Sequence, residues 1–205
     1  GMGTATAWAG ETEERPLYKD SLAPIESRVE DLLRRMTLHE KTLQLQNKPV
    51  GRIDEIESIF QGQSYGCTHE MGKTAEECAG IYNELQKYML TKTRLGIPIL
   101  TAVEGIQGIL QNNSTLFPHS IAQGSTFNPE LIERMTDAAG KEAAAMGIHQ
   151  VLSPVFDIAR ELRWGRVEET YGEDPFLISE MGIGFVKGYQ KHQITLSLIH
   201  ISEPT

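Results

Sequence analysis

Ile97-Pro98-Ile99-Leu100-Thr101-Ala102-Val103 is a short apolar run that opens into Glu104 and Gly105. Seven residues are too few for an ordinary helix, and Gly96 and Pro98 stand at the start of the run. Such a run fits a strand buried on both faces, as parallel sheets require because helices cover both of their sides.

The flanks support that reading. Upstream, Thr74-Ala75-Glu76-Glu77 has the capping-box form, in which a Thr hydroxyl and a Glu carboxylate each satisfy a free amide of the first turn. It opens a helix with Cys78, Ile81, Tyr82, Leu85, Tyr88 and Met89 on one face, closed by Gly96 and Pro98. Downstream, a loop of about 24 residues leads to Asn128-Pro129, a cap followed by proline in the first turn. Leu131, Ile132, Met135 and Ala138 give the helix that follows its apolar face, and Gly147 ends it. A second apolar run, His149 to Val155, follows. After another long loop, Asp174-Pro175 starts a helix carrying Phe176, Leu177, Met181, Phe185, Val186 and Tyr189. A further apolar run covers Ile194 to Ile199.

Nearer the N-terminus, Val29, Leu32, Leu33 and Met36 repeat at helical spacing, and Thr37-Leu38-His39-Glu40 is another capping box, with its helix expected to reach about Gln46. Residues 1–24 read as an irregular lead-in, and residues 47–73 as loops with one short strand or helix. Strands alternating with helices give an α/β fold with a parallel sheet. The strands are too few to close an eight-stranded barrel.

The chain has 205 residues, with 28 Asp and Glu against 19 Lys and Arg, a net charge of -9. Phosphates are repelled on average by such a chain, so nucleic acid is not expected as a partner. No 18-residue apolar stretch exists to cross a membrane. Two cysteines, Cys67 and Cys78, make no disulfide framework. The first residues lack the pattern of a signal peptide, which favours a cytoplasmic protein. His39, His69 and His119 are scattered without an HExxH pair, so a metal hydrolase is not expected.

In parallel β/α folds, chemistry sits just beyond the C-terminal ends of strands. Glu104 is released there into a Gly-flanked turn. The loop from Phe156 to Asp174 lies beyond the next strand and is dense in Arg, carboxylates and aromatics. Arg and carboxylates bind hydroxyls at fixed angles, and Trp or Tyr stacks on the apolar face of a sugar. A polyhydroxylated ligand suits that set.

The segment Arg163-Trp164-Gly165-Arg166-Val167-Glu168-Glu169-Thr170-Tyr171-Gly172-Glu173-Asp174-Pro175 closely resembles a signature of glycoside hydrolase family 3, which includes β-glucosidases and β-xylosidases. Other pieces match in the family's order: Arg35-Met36-Thr37-Leu38, Leu95-Gly96-Ile97-Pro98, Phe117-Pro118, Val151 to Asp157, and Gly184-Phe185-Val186-Lys187-Gly188. The resemblance implies the N-terminal portion of a (β/α)8 TIM-like barrel, incomplete, over residues 25–195. It implies a carbohydrate substrate held in the −1 subsite by Glu104, in the family's (Asp/Glu)-x-x-His-Gly motif, and by Arg166. Asp157, Arg160 and Glu169 are expected around them. Gln107 stands where the family has His. Glu104, where many family β-glucosidases have Asp, reaches further into the subsite, which favours a pentose such as xylose.

Retaining glycosidases use a carboxylate nucleophile and a carboxylic acid/base about 5–5.5 Å apart, with no cofactor or metal. In the family the nucleophile is an Asp well downstream of a Lys-His-Phe motif. Here the match stops at Gln190-Lys191-His192-Gln193-Ile194, so neither catalytic group is expected in this chain; Glu168, Glu169, Glu173 and Asp174 qualify by charge alone. Residues 196–205 resemble translated sequencing-adapter read-through and are expected to be non-native. The expected function is that of a fragment of a retaining β-glycosidase acting on terminal β-linked glucosides or xylosides. A β-N-acetylglucosaminidase and a catalytically inert sugar-binding fragment are the alternatives. An open arc of barrel exposes a strand edge, so self-association is also expected.

Overall fold

The computed structural model describes residues 15–198; the outer parts of the expected lead-in and tail, residues 1–14 and 199–205, lie outside the described residues. The chain divides into two compact units, one ending at Lys41 and one starting at Thr42. In the first, helix α1 (Ile25–Arg35) is tied to a single 3-10 turn at Leu17–Lys19. Asp31 accepts from the Tyr18 amide at 3.0 Å and from Arg35 Nε at 3.0 Å, and Arg28 Nε donates to the Tyr18 carbonyl. The Thr37 capping box is formed, with the Thr37 amide donating to Glu40 at 2.8 Å and the Glu40 amide to Thr37 Oγ1 at 3.2 Å. Its helix, α2 (Leu38–Leu43), stops short of Gln46.

The second unit is built on four strands: β1 (Cys67–His69), β2 (Leu100–Val103), β3 (Gln150–Val151) and β4 (Thr195–Leu196). They lie in sequence order and every neighbouring pair is parallel. The register sets His69 beside Ala102, Ala102 beside Gln150, and Val151 beside Leu196. Asn47 makes one parallel bridge to Cys67 on the other side of β1. Each connection carries helix: α4 (Ala75–Lys92) between β1 and β2, α5 (Ser120–Gly124) and α6 (Pro129–Ala145) between β2 and β3, and α7 (Pro175–Gln190) between β3 and β4. A parallel sheet that runs in sequence order without reversal is an arc of a (β/α) barrel, not a doubly wound sheet.

The three long helices start where their caps place them. Thr74 and Glu77 close a full capping box, Asn128 Oδ1 accepts from the Leu131 amide at 3.0 Å, and Asp174 Oδ1 accepts from the Phe176 amide at 2.8 Å. Their apolar faces bury Leu85, Met89, Ile132, Met181 and Phe185 in one core with Val103 and Val151 of the sheet and with Ile99 and Ile148 just before β2 and β3.

The strands are shorter than the apolar runs. Pro98 has no amide to donate, and Ile99 spends both backbone groups on the Gln86 side chain, at 3.1 and 2.6 Å, so the ladder begins at Leu100. Pro154 likewise ends the ladder that leaves Val151. Residues 47–73 hold both elements that were expected as alternatives: a short helix, α3 (Ile56–Phe60), and β1. The long loop after β2 contains α5, whose five residues carry no helical period. Leu196, inside the segment expected to be foreign, pairs with Val151, and the Ser197 amide donates to the Val151 carbonyl at 2.9 Å.

Candidate functional site

Parallel strands deliver their C-terminal ends to one edge of the sheet, and Glu104 is the first residue past β2 on that edge. Gly105 turns the chain with φ of 76°, in the left-handed region that favours glycine. A Cβ there would lie 2.5 Å from Val151 Cβ and 2.9 Å from Ser153 Oγ, so the turn packs directly on β3. The Gly105 carbonyl accepts a 2.9 Å hydrogen bond from the buried Tyr189 hydroxyl of α7. Three elements therefore fix the backbone that presents Glu104, while its carboxylate remains 39% exposed.

Arg166 sits in the loop beyond β3. That loop is anchored by Tyr171, which is 2% exposed and donates to Gln123 Oε1 of α5 at 3.3 Å. Ala159 also bonds the Gly172 carbonyl, closing the loop base at 2.9 Å. Arg166 grips Glu169 with two donors, Nε to Oε1 at 2.9 Å and Nη2 to Oε2 at 2.5 Å. This bidentate bond raises the Arg166 pKa above the ordinary guanidinium value; partial burial opposes it, and the charges of Glu169, Asp157 and Glu104 add to it.

The expected residues thus fall into two groups. Glu104, Arg166, Asp157 and Glu169 share one electrostatic neighbourhood. Arg160 is exposed and, among the described residues, is not joined to that neighbourhood. Arg163 of the signature is engaged elsewhere, by Glu161 at 2.8 Å; that hydrogen bond pulls the Glu161 pKa down to about 2. Glu169 is the direct partner of Arg166, holding it from three residues away on the same turn.

The sequence reading assigned His69 no place in this site. It ends β1, the strand beside β2, and its Nε2 lies 3.9 Å from Glu104 Oε1, beyond hydrogen-bond reach. Nε2 is buried and has no hydrogen-bond partner. The three-residue strand has no apolar alternation, so position alone could have found it, as the residue before a loop in a β/α order.

A carboxylate on a fixed backbone accepts from hydroxyls, and an Arg held by its own partner donates to them, each at fixed angles. The described strand ends offer no phosphate cradle. Comparison with known proteins gives the family. Residues 37–202 match the family model described as the glycosyl hydrolase family 3 N terminal domain. A putative β-xylosidase of Formosa agariphila is 31% identical over 84% of this chain and 25% of its own length. β-Glucosidase C of Emericella nidulans is 32% identical over 85% of this chain and 31% of its own. Among solved structures, a β-glucosidase from Erythrobacter marinus superposes with a TM-score of 0.77 at 28% identity, over 90% of this chain and 26% of that one. A β-glucosidase from Listeria innocua in complex with isofagomine gives 0.69 at 29%, over 84% and 25%. This chain spans about a quarter to a third of these relatives' lengths. The β-N-acetylglucosaminidase alternative gains no support from these names. With the ordered motifs, the parallel arc of barrel and a family match over most of its length, the chain belongs to glycosyl hydrolase family 3.

Proposed function

We propose that this chain supplies part of the sugar-binding site of a retaining β-glycosidase that releases terminal β-linked glucose or xylose. The observation that carries the reading is that Glu104, on the turn fixed by Gly105, and Arg166, in the loop beyond the neighbouring strand β3 and held by Glu169, are placed so that the charge of Glu104 acts on Arg166. Glu104 accepts from sugar hydroxyls. Arg166, held by Glu169, presents its remaining donors to the ring substituents. Asp157 adds negative charge beside Arg166. The relatives named β-xylosidase and β-glucosidase support both sugars. The extra methylene of Glu104 relative to Asp narrows the site where a hydroxymethyl group would lie and favours the pentose.

In this reading the chain binds and orients, and the nucleophile and acid/base come from beyond it. Self-association through the outer edge of β4 accompanies the open arc.

Titration of the chain with methyl β-D-xyloside and methyl β-D-glucoside, followed by NMR, tests the proposal. Saturable shifts are expected, with the xyloside tighter. Glu104→Gln and Arg166→Met should each weaken binding about 10-fold or more, the cost of losing a charged hydrogen-bonding partner. Absence of saturable binding, or unchanged affinity in both variants, refutes the site. Tighter glucoside binding refutes the pentose preference.

A further inference from the structure

His69 combines three observations that the sugar-site reading leaves unused. Its backbone is placed by the β1 register against β2, where His69 pairs with Ala102, two residues before Glu104. Its Nε2 is buried without a hydrogen-bond partner, a costly state for a polar atom unless a partner arrives. The Glu104 carboxylate stands 3.9 Å away, about 1 Å too far, and is exposed enough to rotate. Among the described residues, His69 is the side chain able to carry positive charge that lies within 4.0 Å of Glu104. Arg166 and Glu104 interact only through space, and Arg166 Nε and Nη2 donate to Glu169.

We infer that His69 is a positioning residue for Glu104, its Nε2–H closing onto the carboxylate and holding it in the orientation that meets a sugar hydroxyl. The role rests on the sugar-site reading of Glu104. The ring carries its proton on Nε2. One carboxylate oxygen takes that proton donor and the other faces the sugar. A rotation of the carboxylate closes the gap, with no movement of either strand. In this role His69 acts through Glu104, its Nε2 being covered.

A double-mutant cycle on the whole chain tests this, with methyl β-D-xyloside as the probe and affinities read by NMR titration. His69→Leu is expected to weaken binding about 3- to 10-fold. His69→Gln, which keeps a donor near the Nε2 position, should stay within about twofold of the parent. In a Glu104→Gln background, His69→Leu should cost nothing further, because the positioned group is gone. Additive losses overturn the role, as does equal weakening by Leu and Gln with the parent far-ultraviolet circular dichroism spectrum retained. Should His69→Leu lose that spectrum, His69→Gln and His69→Asn carry the cycle: Asn, too short to reach, weakens binding, and parity of the two overturns the role. Binding lost in Glu104→Gln but kept within twofold in His69→Leu overturns the role of His69 alone. Absence of saturable binding by the parent chain overturns the sugar site and this role together.

Discussion

Replacing Gly188 by Ala tests how α6 and α7 meet. A Cβ at Gly188 would fall on Thr136 Oγ1, 2.5 Å from the Glu133 carbonyl oxygen and 2.7 Å from the Asp137 amide nitrogen. The Thr136 hydroxyl can rotate, at the loss of its 3.0 Å bond to the Ile132 carbonyl. The two backbone atoms belong to α6 and cannot move alone. Ordinary contact starts near 3.4 Å, so the helices must separate by about 0.9 Å at this point. Overpacking of that kind costs about 1–3 kcal/mol. Alanine returns about 1 kcal/mol in helix propensity. With the contact made by backbone, the upper part of the overpacking range applies, and the net loss is about 1–2 kcal/mol. For a chain of this size that lowers the thermal midpoint by about 2–8 °C. Gly80 of α4 is the internal control. A Cβ there meets only Ile53 Cδ1, at 3.9 Å. Gly80→Ala keeps the propensity gain and should raise the midpoint by about 1–4 °C. Thermal melts followed by circular dichroism read both. If Gly188→Ala melts at or above the parent, the backbones of α6 and α7 do not touch at Gly188 and the packing reasoning fails.

Tyr189→Phe removes the buried donor to the Gly105 carbonyl and should cost about 1–2 kcal/mol of stability in urea unfolding, since that carbonyl is left without its partner; an unchanged midpoint would show that the turn does not depend on α7. Asp137 accepts from His192 Nε2 at 2.6 Å, and that hydrogen bond lowers its pKa, with Lys191 adding to the effect. A depressed carboxyl stabilises the fold above its ordinary value and loses that contribution as pH falls through the lower folded value. The thermal midpoint of Asp137→Asn should therefore lie below the parent's above the ordinary carboxylate range, with the gap closing as the pH falls below that range; a gap that stays constant would deny the link. Burial raises the Cys78 thiol to about 11, and Cys78 is 1% exposed. Cys67, also raised by burial, is partly covered. At pH 8 a disulfide reagent should label Cys78 only on unfolding, and Cys67 sooner; early labelling of Cys78 would contradict its place in the core.

The helices were legible because their signals are local. Thr74 with Glu77, Asn128 with Pro129, and Asp174 with Pro175 each fix a first turn within four residues. The strands were legible as apolar runs but not in their limits. Those limits depend on Gln86, thirteen residues before Ile99 in sequence, taking the backbone groups that the ladder would otherwise use. β1 was not legible as a strand. Cys67, Thr68 and His69 have no pattern of their own, and they are a strand because Leu100, Thr101 and Ala102 lie beside them. The site followed the same division. Glu104 and Arg166 stand beyond recognisable strands, whereas His69 became visible only once its register was known. Glu169 was expected near Arg166, but its direct ion pair with Arg166 became visible only in the fold.

The arrangement at Gly105 ties these levels together. Glu104 could be an ordinary surface carboxylate if the turn behind it were loose. It is not loose: Gly105 lies against Val151 of β3, and its carbonyl is held by Tyr189 of α7. Tyr189 in turn packs against Gly140 of α6, where a Cβ would meet its backbone at 3.3 Å. The close contact of α6 with α7 at Gly188, the seat of Tyr189 and the direction of Glu104 are thus one chain of contacts, running from a helix pair to a site on the far side of the sheet edge. A substitution at the helix interface that parts α6 from α7 acts on the carboxylate through the tyrosine. For the proposed sugar site, affinity is therefore expected to depend partly on residues that never approach the sugar, because a rigid β/α frame gives an exposed side chain a fixed direction.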